Sequence, residues 1–371
     1  MTYWTKPKGF SKSAVDRAGV ALIDPSAPEE EVLKAIDILD NWRAIHSYPM
    51  HVFKVRVKRK AKTIDPNALT VQRLKRIPAI EKKLEKSYDG RPATMKLSQM
   101  QDIGGCRAVL SNVQQVKILF EKYYLKSDLK HKLVKINNYI AQPKPDGYRG
   151  IHLIYKYVSD KGKTEYNNLL IEIQLRSKLQ HLWATAIETV DFITRQSLKS
   201  DQGSEEWMEF FRLVSSAFAK MENCPTVLNT PDDERELYLQ IKRKEAELNA
   251  ITLLTRWAQA IDVVQEKLKE TSKFQYFLLQ LDIAGNNLSI TQYTEENELR
   301  ARADYLSSEK KNRGKKEYDV VLVGADASAD LKKAYPNYFA DTKEFVAILK
   351  KIIDKYSDSE TRFIAAPGTK N

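Results

Sequence analysis

Val32, Ile36, Leu39 and Trp42 recur at helical spacing behind "DPSAPEEE", which predicts an amphipathic helix opening near residue 26. Ser26 is the expected N-cap, Pro28 suits the first turn, and Glu29, Glu30 and Glu31 suit the positive end of a helix. Pro49 is expected to break or kink this element. "ALTVQRLKRIPAIEKKLEK" (68–86) reads as a second helix, with Pro78 as an awkward interruption. From about residue 101 the period shortens. "DIGGCRAVL", "HKLVKINNYI", "GIHLIYKYV" and "NLLIEIQLR" are short, apolar and rich in β-branched residues, as strands are. "NVQQVKILFEKYYLK" between the first two reads as a helix.

After Arg176 the helical period returns in "SKLQHLWATAIETVDFITRQ" and "EEWMEFFRLVSSAFAKME". "NCPTVLNTPDDERE" (223–236), with two prolines and polar turn formers, is the expected linker. A long helical stretch (234–268), strands in "NLSITQYT" and "YDVVLVG", and a helix in "TKEFVAILKKIIDKY" follow. The predicted class is α+β: a mixed β-sheet flanked by helices, then a smaller α/β domain. The division is expected at 227/228, and a chain of 371 residues has room for two domains.

No apolar run approaches the ~20 residues that a membrane-spanning helix needs. The opening residues lack the apolar core of a secretion signal. Cys106 and Cys224 stand far apart without His at ligand spacing, so neither zinc nor a disulfide framework is expected. A reducing, cytoplasmic setting fits. The net charge of +12 is concentrated: residues 51–100 hold 14 Lys or Arg against 4 Asp or Glu, a surplus of +10. It is densest in "KVRVKRKAK" (54–62). Such a run fits a solvated helix face, and it equally makes a field that attracts polyphosphate or nucleic acid.

Asp102 opens "DIGGCR", and Glu172 sits in "LLIEIQLR". Alternation puts Glu172, Gln174 and Arg176 on one face of that strand, opposite Ile171, Ile173 and Leu175. This polar face is the ordinary solvated side of a sheet, or half of a magnesium site built from two carboxylates on neighbouring strands. Arg73, Lys75 and Lys83 are candidates for a triphosphate clamp. No G-x-x-x-x-G-K-[ST] is present, so a P-loop cannot do that work. "PKPDGYRGIH" (143–152) sets Tyr148, Arg149 and His152 on a loop stiffened by prolines and shaped by glycines.

R-x-K with a helical lysine, D-x-x-G-x-R, G-Y-R-x-x-H and E-x-Q-x-R follow one another in this order. Together they resemble the RelA/SpoT-like synthetase domain of alarmone (ppGpp) synthetases, over roughly residues 60–200. The resemblance implies a nucleotidyltransferase-like domain that transfers pyrophosphate from ATP to a ribose hydroxyl and releases AMP. It gives Asp102 and Glu172 to magnesium, with Glu172 also orienting or deprotonating the attacking hydroxyl. Arg73, Lys75, Lys83 and Arg107 would bind ATP. Tyr148 would stack on the acceptor base, with Arg149, His152 and Gln174 lining that site. A preset ring of this kind gains about 1–3 kcal/mol per base.

The segment "LQHLWATAIETVDFITRQSLKS" is similar to the toxic branch of small alarmone synthetases, with His181 and Glu188 at matched polar positions. The same two residues also suit a helix face packed on the sheet. Members of that branch modify the 3′ CCA end of tRNA and stop translation, which makes tRNA the leading acceptor and free GDP or GTP the alternative. Lys58, Arg59 and Lys60 would meet the tRNA backbone. A catalytically dead RNA-binding module is a third reading, though pure binding gains nothing from paired carboxylates.

The arrangement resembles fused toxin–antitoxin synthetases of the CapRel type, which act in anti-phage defence. That likeness implies a synthetase over 1–227 and an autoinhibitory, phage-sensing domain over 228–371, similar to a zinc finger without its metal ligands. A phage protein, typically the major capsid protein, would release it. "KKAYPNYFADTKEF" carries the Y-x-x-Y pattern linked with inhibition. Tyr335 and Tyr338 would occupy the adenine position, or else cover a small local core.

Overall fold

Four expected strands lie in one sheet, and a fifth joins them from a stretch that reads as helix. The computed structural model describes residues 4–85, 95–126, 129–160, 162–197, 203–252, 254–255, 276–282, 287–312, 315, 318–324 and 343–356. Two compact units are present: residues 1–137 with 151–177, and residues 138–150 with 178–371.

In the first unit, β1 (Leu69–Leu74), β2 (Gly104–Leu110), β3 (Lys132–Asn138), β4 (Ile151–Lys156) and β5 (Leu170–Ser177) form a mixed sheet of order β1-β2-β5-β4-β3. β2 runs parallel to β5, while β1 is antiparallel to β2 and β4 to β5. Ile171, Ile173 and Leu175 bury the apolar face of β5 completely, as the alternation requires. Of helices α1 (Lys12–Ile23), α2 (Glu29–Ile45), α3 (Ser47–Ile64), α4 (Ile77–Glu85) and α5 (Val113–Phe120), α3 packs on β1, β2 and β5 and α5 on β2 and β5. Val15, Leu39, Ile80, Leu97 and Met100 knit α1, α2 and α4 into one core cluster.

Three local expectations are corrected. Pro28, not Ser26, stands at the N-cap of α2, because the Ser26 hydroxyl is committed to Asp24 Oδ1 at 2.7 Å. Pro49 starts rather than breaks a helix: α2 ends at Ile45, and Pro49 lies in the first turn of α3, where its missing N–H costs nothing. The proposed helix over 68–86 is a strand followed by a helix. Leu69–Leu74 pairs with β2, and Pro78 falls in the first turn of α4.

α3 turns Phe53, Val57 and Ala61 inward and leaves Lys58 and Arg59 exposed. Its end is tied to the sheet by Asp65, which accepts from the Ser111 N–H and hydroxyl, both at 2.7 Å. His46, at the α2–α3 junction, packs so near β2 that a Cβ on Gly104 would lie 3.2 Å from the His46 Cβ.

The second unit contains the loop 138–150, α6 (Lys178–Ser197), α7 (Gly203–Met221) and α8 (Glu234–Leu248). It continues with β6 (Tyr276–Asp282), β7 (Asn287–Tyr293), α9 (Glu298–Lys311), β8 (Tyr318–Gly324) and α10 (Lys343–Asp354). Trp183, Phe211, Phe218, Leu237, Ile241, Phe345 and Leu349 share one apolar cluster. α6 and α7 thus share a core with α8 and α10. β6, β7 and β8 form an antiparallel sheet of order β7-β6-β8, on which Ala301 of α9 is buried with Leu278, Tyr293 and Val320. β6 and α9 are additions to the expected elements. Tyr335 and Tyr338 lie outside the described residues. No helix among the described residues is long and apolar enough to cross a membrane.

Candidate active site

The register of the sheet sets the site. Arg73, Gly105, Glu172 and Ile154 form one row across β1, β2, β5 and β4. Val71, Arg107, Gln174 and His152 form the next. Directly paired residues share a face, so Arg73, Arg107, Gln174 and His152 all project on the side of Glu172. Gly105 contributes no side chain between Arg73 and Glu172.

Asp102 lies two residues before β2, at the end of the strand beside Glu172. The β1–β2 pairing extends one step past the ladder through a bond from the Lys75 N–H to the Ile103 carbonyl at 2.8 Å. Lys75 Nζ thereby reaches Asp102 Oδ2 at 2.9 Å. Lys83, on α4, reaches Asp102 Oδ1, also at 2.9 Å. Burial pushes the Asp102 carboxyl up, but the two ammonium groups outweigh it and hold the group below its ordinary value.

Glu172 is engaged through both oxygens. His152 Nδ1 lies 2.9 Å from Oε1, and Gln174 Nε2 donates to Oε2 at 2.7 Å. An ionised carboxylate only accepts, so His152 Nδ1 carries the hydrogen. Gln174 is oriented in turn: its Oε1 accepts from Arg107 Nε at 3.1 Å and from Arg176 Nη2 at 3.3 Å. Burial pushes Glu172 up, and His152 and the Gln174 amide more than offset it, so the net shift is downward. The Asp102 charge opposes this shift, which makes the two carboxylates electrostatic neighbours.

Among the described residues no group of three or more His, Cys, Asp or Glu is arranged to hold a metal ion. A cation at this corner would therefore rest on two carboxylates, waters and the phosphates of a ligand. That donor set fits magnesium, which keeps much of its hydration.

The remaining expected residues are distributed as follows. Arg73 is exposed on β1. Lys60, on α3, lies over the Tyr123 ring at 4.4 Å, and Lys122 approaches the same ring at 5.5 Å. His181 and Glu188 are both half-buried on α6. Tyr148 and Arg149 belong to the second unit. The Tyr148 N–H donates to Asp146 Oδ1 at 2.9 Å, and its ring meets the Tyr139 ring edge to face at 5.8 Å. Arg149, expected on the surface of an acceptor site, is only 4% exposed and donates through Nε to Ser215 Oγ at 3.0 Å. Burial pulls its guanidinium below its ordinary value, against the opposing charge of Glu222.

Arg176, which alternation sets on the face of Glu172 and Gln174, had no role assigned to it; its Nη2 donates to Gln174 Oε1. Sequence reasoning missed one participant outright. Ser215 carries no local signal, because it meets Arg149 from 66 positions away.

Residues 72–191 match the family model described as the region found in RelA / SpoT proteins. The chain is 29% identical over 117 residues to GTP pyrophosphokinase YjbM of Bacillus subtilis (strain 168), covering 32% of this chain and 54% of that protein. It is 32% identical over 123 residues to GTP pyrophosphokinase YwaC of the same organism, covering 33% and 56%. The chain thus spans about half the length of the curated relatives it matches. Among solved structures, small alarmone synthetase 1 from Bacillus subtilis bound to its product pppGpp aligns at 21% identity and a TM-score of 0.42, over 50% of this chain and 93% of that one. Small alarmone synthetase 2 from Bacillus subtilis aligns at 19% and 0.40, over 50% and 94%. The stretch holding Asp102, Glu172 and their partners is therefore similar to the region found in RelA / SpoT proteins.

Proposed function

We propose that this chain transfers a pyrophosphate group from ATP to a ribose hydroxyl. The reading is carried by one observation: neighbouring carboxylates with opposite surroundings, Asp102 between two lysines and Glu172 between a histidine and an amide. Asp102 and Glu172 would hold magnesium, which supplies charge neutralisation on the transferred group. Lys75 and Lys83 would move from Asp102 to the ATP phosphates, with Arg73 and Arg107 as further cations. Glu172 would orient the attacking hydroxyl or take its proton, while His152 and Gln174 keep the carboxylate aimed. The hydroxyl oxygen bonds the β-phosphorus, the bond to the α-phosphate bridge breaks, and AMP leaves.

The proposed acceptor is the 3′ end of tRNA, with Tyr148 stacking on a base. The basic surplus in 51–100 and the exposed Lys58 and Arg59, with Lys60 beside them, support it, because a long phosphate backbone gains from many contacts. A second reading has GDP or GTP accept the group; the curated relatives are named GTP pyrophosphokinases, which is consistent with it. We further propose that residues 228–371 inhibit the enzyme through Tyr335 and Tyr338 until a phage protein, such as the major capsid protein, binds in anti-phage defence. The sequence resemblance described above supports this part. One experiment tests both levels. The full chain and its Y335A/Y338A variant are incubated with γ-labelled ATP, magnesium and GDP, GTP or deacylated tRNA. Label in tRNA, stronger in the variant, is expected. Label only in the nucleotides overturns the acceptor, and equal activity of both proteins overturns the inhibition.

A further inference from the structure

The loop that carries Tyr148 is fastened from beneath. Gly147 has φ +94°, and a Cβ there would lie 2.9 Å from Trp183 Cζ2 and 3.0 Å from Ser215 Cβ, so the loop backbone lies directly on α6 and α7. Ser215 Oγ donates to the Gly147 carbonyl at 2.6 Å and accepts from Arg149 Nε at 3.0 Å. One hydroxyl thus joins α7 to the Gly147 backbone and to the Arg149 side chain. The loop also closes on itself: the Gly147 N–H donates to the Lys144 carbonyl at 2.9 Å, and the Lys144 N–H to the Tyr148 carbonyl at 3.2 Å.

Arg149 has more to satisfy than Ser215 can reach. Its Nη1 and Nη2 are buried without a protein partner. Arg149 also lines a cavity of about 10 Å³, together with Gln180, Glu222, Trp183 and Phe218. Buried guanidinium donors need acceptors, and a space of this size holds about one water with polar partners. Glu222, which accepts from Gln180 Nε2 at 3.2 Å, brings a negative charge to the same lining. The volume is too small for phosphate, the Glu222 carboxylate disfavours any anion, and the guanidinium disfavours a metal cation.

We propose that Arg149 is a positioning residue: through Ser215 and one bound water shared with Glu222, it fixes loop 143–150 on α7 and so presets the Tyr148 ring. The functional half of this inference rests on the reading of Tyr148 as the platform for the acceptor base. The structural half does not.

The test uses the full chain. A high-resolution crystal structure is expected to show one ordered water bonded to Arg149 Nη and the Glu222 carboxylate. R149K keeps the charge but loses the fork, and S215A removes only the relay. Each is expected to speed amide hydrogen exchange of residues 144–149 by about tenfold, a loss of local rather than global protection. Each should also raise the KM for the acceptor (GTP or deacylated tRNA, whichever takes label) by roughly tenfold or more while leaving the KM for ATP unchanged, as misplacement of a positioning group does. A cavity filled by an ion or by nothing overturns the water. Unchanged exchange in both variants overturns the strut, as does a parallel rise in both KM values. If instead Y148A leaves the acceptor KM unmoved, the stacking reading fails, and the exchange and density results still decide the strut.

Discussion

Gly147→Ala adds one methyl group at a crowded glycine on the loop. Two costs follow from the geometry. The residue sits at φ +94°, where an L side chain is strained by roughly 1–2 kcal/mol. The new Cβ would also stand 2.9 Å from Trp183 Cζ2, 3.0 Å from Ser215 Cβ and 3.4 Å from Arg212 Cα. The indole cannot easily retreat: Trp183 is 4% exposed, and its Nε1 donates to the Phe211 carbonyl at 2.7 Å. Overpacking of that kind adds about 1–3 kcal/mol, giving about 2–5 kcal/mol in all. Gly162→Ala is the matched control, because Gly162 has φ +62° with nothing within 4 Å and carries only the backbone cost. Equilibrium urea denaturation followed by tryptophan fluorescence measures both. If G147A loses no more stability than G162A, the close packing of the loop on α6 and α7 is not what holds it.

Glu172→Gln is expected to lower pyrophosphate transfer by roughly 10²–10⁴-fold, the range of a lost acid–base group, and to lower the unfolding midpoint at neutral pH, because it removes the ionised carboxylate that His152 and Gln174 hold. The labelled-ATP assay and the same urea curves check it. Asp102 and Glu172 both sit below their ordinary values of 3.8 and 4.5, so their contribution is full above those values and is lost as the pH falls through the folded ones. Stability measured from about pH 6 to pH 3 should therefore decline, and the decline should be smaller in K75M/K83M, which removes the Asp102 partners. Burial raises the Cys106 thiol well above its usual range, and only Cys224 has some exposure. A thiol-exchange reagent should titrate one cysteine in the native protein and both after denaturation.

Strands β2 to β5 were legible because each carries its own apolar, β-branched run. β1 was not. None of its residues is buried, and its alternation is masked by Gln72 and Arg73, so only the pairing with β2 makes it a strand. α9 was invisible for a related reason: Ala301 is its one fully buried residue among those whose burial is described, leaving no apolar stripe to read. The site divides in the same way. Glu172 and Gln174 were foreseeable from strand alternation, and Asp102 from its place ahead of β2. That Lys75 and Lys83 both close on Asp102 depends on sheet register and on the start of α4. The burial of Arg149 depends on Ser215, which only the packing of α7 brings near.

The grip of Lys75 and Lys83 on Asp102 has a thermodynamic corollary. Any polyanion that draws both ammonium groups away strips a largely enclosed carboxylate of its counter-ions, and a cation must then replace them. If anion and cation both bind at this corner, their uptake would be reciprocal: each would raise the affinity for the other by the same factor. The corner would then admit the two as a matched pair more readily than either one alone.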